Sequence, residues 1–92
     1  MNPLTTLFLL ELGGKVKAFL DAGISNYNQG CTTRQPVSPA TCGDAGDRAL
    51  KEWSPKVNGQ EILTPALRTA LKGALGHFSY NLAAAAAGHP LR

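Results

Sequence analysis

Charged residues are scarce in this chain. Only 16% of its 92 residues are Asp, Glu, Lys or Arg, whereas soluble domains average about 25%. Nucleic-acid-binding domains cluster Lys and Arg around aromatic stacking platforms, but the net charge of +3 here rests on scattered residues such as Arg68, Lys72 and Arg92. We therefore expect no nucleic-acid partner, and a surface so poor in charge predicts that part of it is covered.

A long hydrophobic run is also absent. A membrane-spanning helix needs about 20 consecutive apolar residues, and the most apolar stretch, residues 4–12, is shorter and contains two threonines and Glu11. A secretory signal peptide requires Lys or Arg before its apolar region, and neither residue precedes this stretch. We expect no membrane contact. An uncleaved export route stays open, and so does a third interpretation, in which the chain is an interfacial membrane peptide that uses the first helix.

Catalytic and metal-binding motifs are missing as well. Cys31 and Cys42 are separated by ten residues and His77 and His89 by eleven, whereas structural zinc sites use much closer pairs. No C-x-x-C or G-x-S-x-G motif is present, and the acidic residues occur singly. The sequence predicts no metal, no cofactor and no enzymatic activity.

The two cysteines enclose a polar segment that contains Pro36 and Pro39. Prolines interrupt a regular helix, so we predict an irregular loop over residues 25–43. A loop of this length is uncommon in a compact domain unless something holds it. We predict a disulfide between Cys31 and Cys42, which would stabilise the chain by about 3 kcal/mol; two free thiols, or thiols paired with another chain, are the alternatives.

Helix start and stop residues predict an all-α fold, a single domain over residues 1–92. Pro3 and Pro65 each suit a first helical position, and Gly23 and Gly88 are typical residues just past a helix end. We predict that the two long helices pack antiparallel as a helical hairpin, or as a three-helix domain with a short helix between them. The predicted segments are helix 3–22, loop 25–43, short helix 44–53, turn 54–63 around Asn58-Gly59, and long helix 65–87.

The first helix has a broad apolar arc that we predict to face the core. Its members are Phe8, Leu9, Leu12, Val16, Phe19 and Leu20. Leu7 and Leu10 lie outside this arc, so the first two turns are apolar nearly all round. Either these two leucines are simply exposed, which is common, or another chain covers them.

The long helix carries two apolar stripes at the helical period. The predicted core stripe consists of Leu67, Leu71, Ala74, Leu75, Phe78 and Leu82. The second stripe, rich in small residues that allow a helix to approach closely, consists of Ala66, Ala70, Gly73, His77, Tyr80 and Ala84. The residues left to face water are Arg68, Thr69, Lys72, Gly76, Ser79 and Ala83. The second stripe is either a partner interface or mere helix-forming alanine.

These patterns favour a non-catalytic structural or adaptor subunit of a larger multi-subunit assembly, such as a minor structural protein of a virus particle. Its partners would be other protein subunits, identical or different, and its predicted interface is Leu7 and Leu10 together with the second stripe. The alternative is a stand-alone binding or inhibitory protein, stabilised by the disulfide, that acts in an oxidising compartment outside the cytoplasm through the 25–43 loop.

Overall fold

Three helices and one short hairpin make up the fold. The computed structural model describes residues 3–88, and each helix packs against the other two. The chain is mostly helical, as predicted. The elements are α1 (Pro3–Thr33), α2 (Pro39–Asp47), β1 (Lys56–Val57), β2 (Gln60–Glu61) and α3 (Pro65–Ala86).

The two long helices run in the same direction. Near their N-terminal ends, Phe8 of α1 and Leu71 of α3 pack against one core cluster. Farther along both helices, Gly23 lies against Ser79, and Tyr27 is buried together with Ala83. The predicted antiparallel pairing of the long helices is therefore wrong.

Helix α2 runs back between the two long helices. Cys42, early in α2, lies beside Gly23 and belongs to the cluster of Tyr27, whereas Gly46, one turn later, lies against the earlier residue Phe19. The fold is thus an up-down-up three-helix bundle. Helix α2 is antiparallel to both long helices. The chain therefore reverses direction twice, once before and once after α2, and not once as in the predicted two-helix hairpin.

Helix α1 continues well past its predicted end. We expected Gly23 to terminate the helix, but this glycine is buried, and a Cβ atom there would lie only 2.8 Å from the Cβ of Ser79. Gly23 therefore serves the close approach of α1 and α3. The helix ends at Thr33, where Arg34 takes the left-handed conformation (φ 59°) and the Gln35 amide donates to the Gly30 carbonyl at 2.9 Å.

Most of the predicted 25–43 loop is consequently helical, and the α1–α2 connection is only residues 34–38. Helix α2 begins at Pro39 instead of the predicted residue 44. Ser38 and Thr41 form a capping box, in which the Ser38 side chain accepts from the Thr41 amide and the Thr41 side chain accepts from the Ser38 amide. Pro39 thus starts a helix, as proline does at a first helical position, instead of breaking one. Turns follow α2 up to Glu52.

Asn58 and Gly59 form the turn of a hairpin inside the predicted 54–63 segment. Both residues have positive φ, 53° and 79°, as the tight turns of two-residue hairpins require. Lys56 pairs with Glu61 and Val57 with Gln60. Helix α3 follows, capped by the Thr64 hydroxyl, which accepts from the Leu67 amide at 3.2 Å. It is one residue shorter than the predicted helix 65–87.

The core consists of two adjoining clusters. The first is Phe19, Leu50, Trp53 and Leu63, with partly buried Phe8, Leu12, Ala49, Leu71 and Leu75 packed against it. The second is Tyr27, Cys42, Ala83 and Ala84, with Ile24, Val37 and Tyr80. Trp53 stacks on Phe8 with ring centroids 6.2 Å apart. Helix α3 contributes to both clusters, so it has one side fixed in the core along most of its length.

Candidate interaction surface

Small residues form the buried side of α3. We call Gly76, Ser79 and Ala83, which are all buried, the inner row. Gly76 meets α2 so closely that a Cβ atom there would lie 2.7 Å from the Pro39 carbonyl oxygen and 2.9 Å from the Gly43 Cα. Ser79 is fully buried opposite Gly23 of α1. These are the residues that the sequence pattern predicted to face water, so the helix is rotated relative to that prediction.

The opposite side of α3 is apolar and exposed. We call Ala66, Ala70, Ala74, Phe78 and Leu82, which are spaced four residues apart, the outer row. All five are exposed, and the two large members, Phe78 and Leu82, leave 53% and 42% of their surface accessible. Leu67 beside the row is 50% exposed. Of the predicted core stripe, only Leu71 and Leu75 pack against a core cluster.

The two charged residues of α3 are both bonded to groups of the same chain. The Arg68 guanidinium donates to the carbonyl oxygens of Leu50 and Trp53, the latter at 2.8 Å. Lys72 lies 2.6 Å from the Asp44 carboxylate of α2, and the hydrogen bond to Asp44, followed by its charge, raises the pKa of Lys72. The outer row therefore contains no Asp, Glu, Lys or Arg.

The predicted partner interface is divided by the fold. Ala66, Ala70, Gly73 and His77 are exposed. Ala84, however, is buried in the second core cluster, and Tyr80 is half-buried, with its ring edge-on to Tyr27 at 5.2 Å. The small residues of α3 predicted a closely packed neighbouring helix. That helix is α2 of the same chain, and it contacts α3 at Gly76, which is not part of the second stripe.

Leu7 and Leu10 remain uncovered at the start of α1. Their side chains are 63% and 69% exposed, and Leu9 between them is also exposed. Phe8 and Leu12 on the other side of the helix pack against the core cluster that contains Trp53. The N-terminal half of α1 thus presents a second exposed apolar surface.

The predicted disulfide does not form. Cys31 is exposed near the end of α1, whereas Cys42 is fully buried in α2, and both are free thiols. Burial raises the pKa of the Cys42 thiol, and burial followed by the neighbouring Cys31 raises the pKa of Tyr27. Because residues 25–33 are helical and Val37 packs over Gly30, helix packing holds this segment without a covalent link.

Polar groups meet in one groove between α2 and α3. Its volume is about 310 Å³, and it is lined by Pro39, Ala40, Gly43, Asp44, Thr69, Lys72, Gly73 and His77. The groove is open, and its Lys72 and Asp44 already neutralise each other. Within residues 3–88 no three His, Cys, Asp or Glu side chains lie together as a metal site would need; His89 is outside this range.

None of the helices between Pro3 and Gly88 has the length and apolarity that crossing a membrane requires. Comparison of the chain with protein-family models, with curated proteins and with solved structures found no match in any of the three. The surface chemistry of the bundle is therefore the basis for any functional proposal.

The sequence pattern missed the exposure of Leu67, Phe78 and Leu82. One signal in the sequence points to it: α2 contains Gly43 and Gly46, and α3 contains Gly73 and Gly76. Glycines in neighbouring helices permit their backbones to approach closely, so a row of small residues can indicate an interhelical contact just as a stripe of large apolar residues can. Helix α3 has one surface of each kind, and the size of the residues alone does not show which of the two faces the core.

Proposed function

We propose that this chain is a non-catalytic structural or adaptor subunit, which packs into a larger multi-subunit assembly through the outer row of α3. A virus particle is one example of such an assembly. The observation that carries the proposal is the exposed, uncharged apolar side of a helix whose other side is already buried.

The extent of the exposed apolar surface supports this proposal. Neighbouring exposed apolar side chains that form one patch often mark an interaction site. Phe78 and Leu82 are neighbours one turn apart, and Leu67 and the outer-row alanines continue the patch toward the helix N-terminus. Leu7, Leu9 and Leu10 add a second uncovered group. Other subunits would remove these side chains from water.

The alternative, a disulfide-stabilised binding protein that acts through residues 25–43, has lost its two supports. Nine of these residues extend α1 and five belong to α2, and the cysteines are free. No observation on the remaining connection, residues 34–38, favours a recognition loop, so we carry only the assembly proposal forward.

Sedimentation from the source cells tests the proposal. A tagged chain should appear in the fraction of large complexes, and Phe78→Glu should lower its share there by about tenfold, because a charge would be buried in an apolar interface. Asn28→Glu is the matched control, since Asn28 is exposed on α1 and receives the same charge. Helix content and the free energy of unfolding should be unchanged in both variants.

Two results would contradict the proposal. The first is a wild-type chain that sediments only as a free small protein. The second is a Phe78→Glu chain that stays in the large complexes as completely as the control, which would exclude the outer row as the contact surface.

A further inference from the structure

We propose that the outer row of α3 binds the outer row of a second copy of this chain, antiparallel about a two-fold axis beside Ala74. This inference rests on the proposed function, because it names the partner that covers the same surface. It has its own structural argument, which comes from the order of side-chain sizes along the row.

Small and large residues are segregated along the outer row. Ala66, Ala70 and Ala74 occupy its N-terminal part, and Phe78 and Leu82 occupy its C-terminal part, all exposed and all on one ridge of the helix. A two-fold axis beside Ala74 reverses this order in the second copy. Phe78 then faces Ala70 of the other copy, and Leu82 faces Ala66.

This arrangement satisfies the requirement of a two-fold interface, in which one patch must complement itself. Every large side chain meets a small one, so the helices can approach evenly along their whole length. A parallel pairing would place Phe78 against Phe78 and Leu82 against Leu82, which forces the C-terminal ends apart and leaves the alanines without contact. The size order therefore selects the antiparallel second copy.

The absence of charge on this surface also suits self-association. The chain carries a net charge of +3, so copies that met through basic residues would repel each other. Arg68 and Lys72, however, are bonded to Trp53 and Asp44 of the same chain and lie outside the outer row. A membrane surface is less well matched, because helices that lie on lipid present Lys and Arg beside their apolar side.

The footprint of the contact indicates its expected strength. A 22-residue helix is about 33 Å long and about 10 Å wide, so one helix side on each copy covers about 700 Å² in total, which is below the range of stable specific interfaces, about 1,200 Å² and more. We therefore expect a reversible dimer that dissociates on dilution. Its strengthening within an assembly would come from additional contacts, such as those of Leu7 and Leu10.

A charge-complementation experiment on the purified full chain tests the two-fold axis. Sedimentation velocity from about 10 μM to about 1 mM covers the dissociation constants expected for a weak contact. Wild type should pass from monomer to dimer. Ala74→Glu and Ala74→Lys should each weaken the dimer by about tenfold or more, because like charges meet at the axis. Equimolar mixing of the two variants should restore dimerisation.

The controls are Asn28→Glu and Asn28→Lys, which add the same charges to an exposed position of α1 and should leave the dimer unchanged. A wild-type chain that stays monomeric throughout, or Ala74 variants that dimerise normally alone, would overturn the proposal. So would an equimolar mixture that stays monomeric, because only opposite copies meeting at position 74 predict rescue.

The two proposals fail separately. A monomeric purified chain that nevertheless enters large complexes in cells would refute the dimer and leave the assembly role in place. A dimer that forms in solution while no large complex contains the chain would refute the assembly role alone. Added anionic phospholipid vesicles that bind wild type but not Ala74→Glu, with no dimer formed, would identify lipid as the occupant and refute the second copy.

Discussion

The two sides of α3 both consist mainly of small or apolar residues, but only one of them is packed. The inner row has small residues, Gly76, Ser79 and Ala83, and all three are buried against α1 and α2. The outer row contains the larger side chains Phe78 and Leu82, which are exposed. Helix α3 therefore approaches α1 and α2 most closely through its smallest residues, and it leaves Phe78 and Leu82 exposed.

The difference has a physical reason. Close backbone approach brings many atoms of both helices into van der Waals contact, and each such contact contributes a little attraction. Gly76 against Gly43 and Gly23 against Ser79 achieve this approach. A leucine in either position would separate the helices. A stripe of large residues thus identifies an apolar surface, but it does not show whether other helices of the same chain cover that surface.

Adding one methyl group at Gly76, in the inner row, and one at the exposed Gly73, one turn earlier, should have opposite effects on stability. The first is the largest effect that we expect. Gly76→Ala places a Cβ 2.7 Å from the Pro39 carbonyl oxygen and 2.9 Å from the Gly43 backbone, and it should lower the free energy of unfolding by about 2–4 kcal/mol. Gly73→Ala meets no atom within 4 Å and should raise it by up to about 1 kcal/mol.

Urea unfolding followed by the fluorescence of Trp53, which is buried, measures both effects. If Gly76→Ala left the free energy of unfolding unchanged or raised it, the inner row could not be the closely packed side, and the comparison of the two sides would fail.

Removing Arg68 should have the next largest effect on stability, because its guanidinium bonds the edge of the buried side of α3 to the segment after α2. Arg68→Ala leaves the Trp53 carbonyl oxygen without its guanidinium donor and leaves the Leu50 carbonyl oxygen with the Trp53 amide alone. It should cost about 2 kcal/mol of unfolding free energy. Arg68→Lys should recover at most half of the loss, because one ammonium group lacks the fork that reaches two acceptors.

The control for Arg68 is Lys51→Ala, which removes an exposed positive charge and should change stability by less than about 0.5 kcal/mol. An Arg68→Ala variant as stable as this control would mean that the guanidinium does not hold the segment after α2.

Thiol reactivity compares an exposed residue with a buried one in the unmodified chain, and it is the prediction with the smallest effect on stability. In native protein at pH 8 without reductant, Cys31 should react promptly with a thiol reagent, and Cys42, which packs with Ala83 of the inner row, at least about 100-fold more slowly. Denaturant should release both thiols. Failure to detect free thiols without reductant would restore the disulfide predicted from the sequence.

The raised pKa of Cys42 adds a pH dependence to this prediction. A thiol whose pKa is higher in the folded than in the unfolded chain stabilises the fold fully below its ordinary value of about 8.5. That contribution is lost as the pH rises from this value through the raised one. The fall in unfolding free energy over this range should be smaller in Cys42→Ala than in wild type, and an equal fall would assign it to other groups.

Local signals in the sequence were enough for several elements. The cap and proline at Thr64-Pro65 mark the start of α3, Gly88 with φ 79° follows its end, and Asn58-Gly59 forms the hairpin turn. Each of these signals acts within a few residues, so the residue types alone specify the conformation. The mostly helical class follows from the same kind of evidence.

Other features depend on distant contacts and could not be predicted locally. Gly23 is as good a helix terminator as Gly88 by composition, and only Ser79 on another helix explains why α1 passes through it. Likewise, the rotation of α3 depends on where Gly43 of α2 lies. The same limits apply to the candidate surface: Ala70 and His77 are exposed, whereas Ala84 belongs to the core.

The hairpin between α2 and α3 offers a site for inserting foreign sequence. All four strand residues are exposed, while Trp53 and Leu63 at its base are buried and the Ile62 amide donates to the Pro55 carbonyl at 3.1 Å. Because a loop with fixed ends loses only about 0.6 kcal/mol for each doubling of its length, a peptide epitope placed between Asn58 and Gly59 should project from the bundle without loosening it.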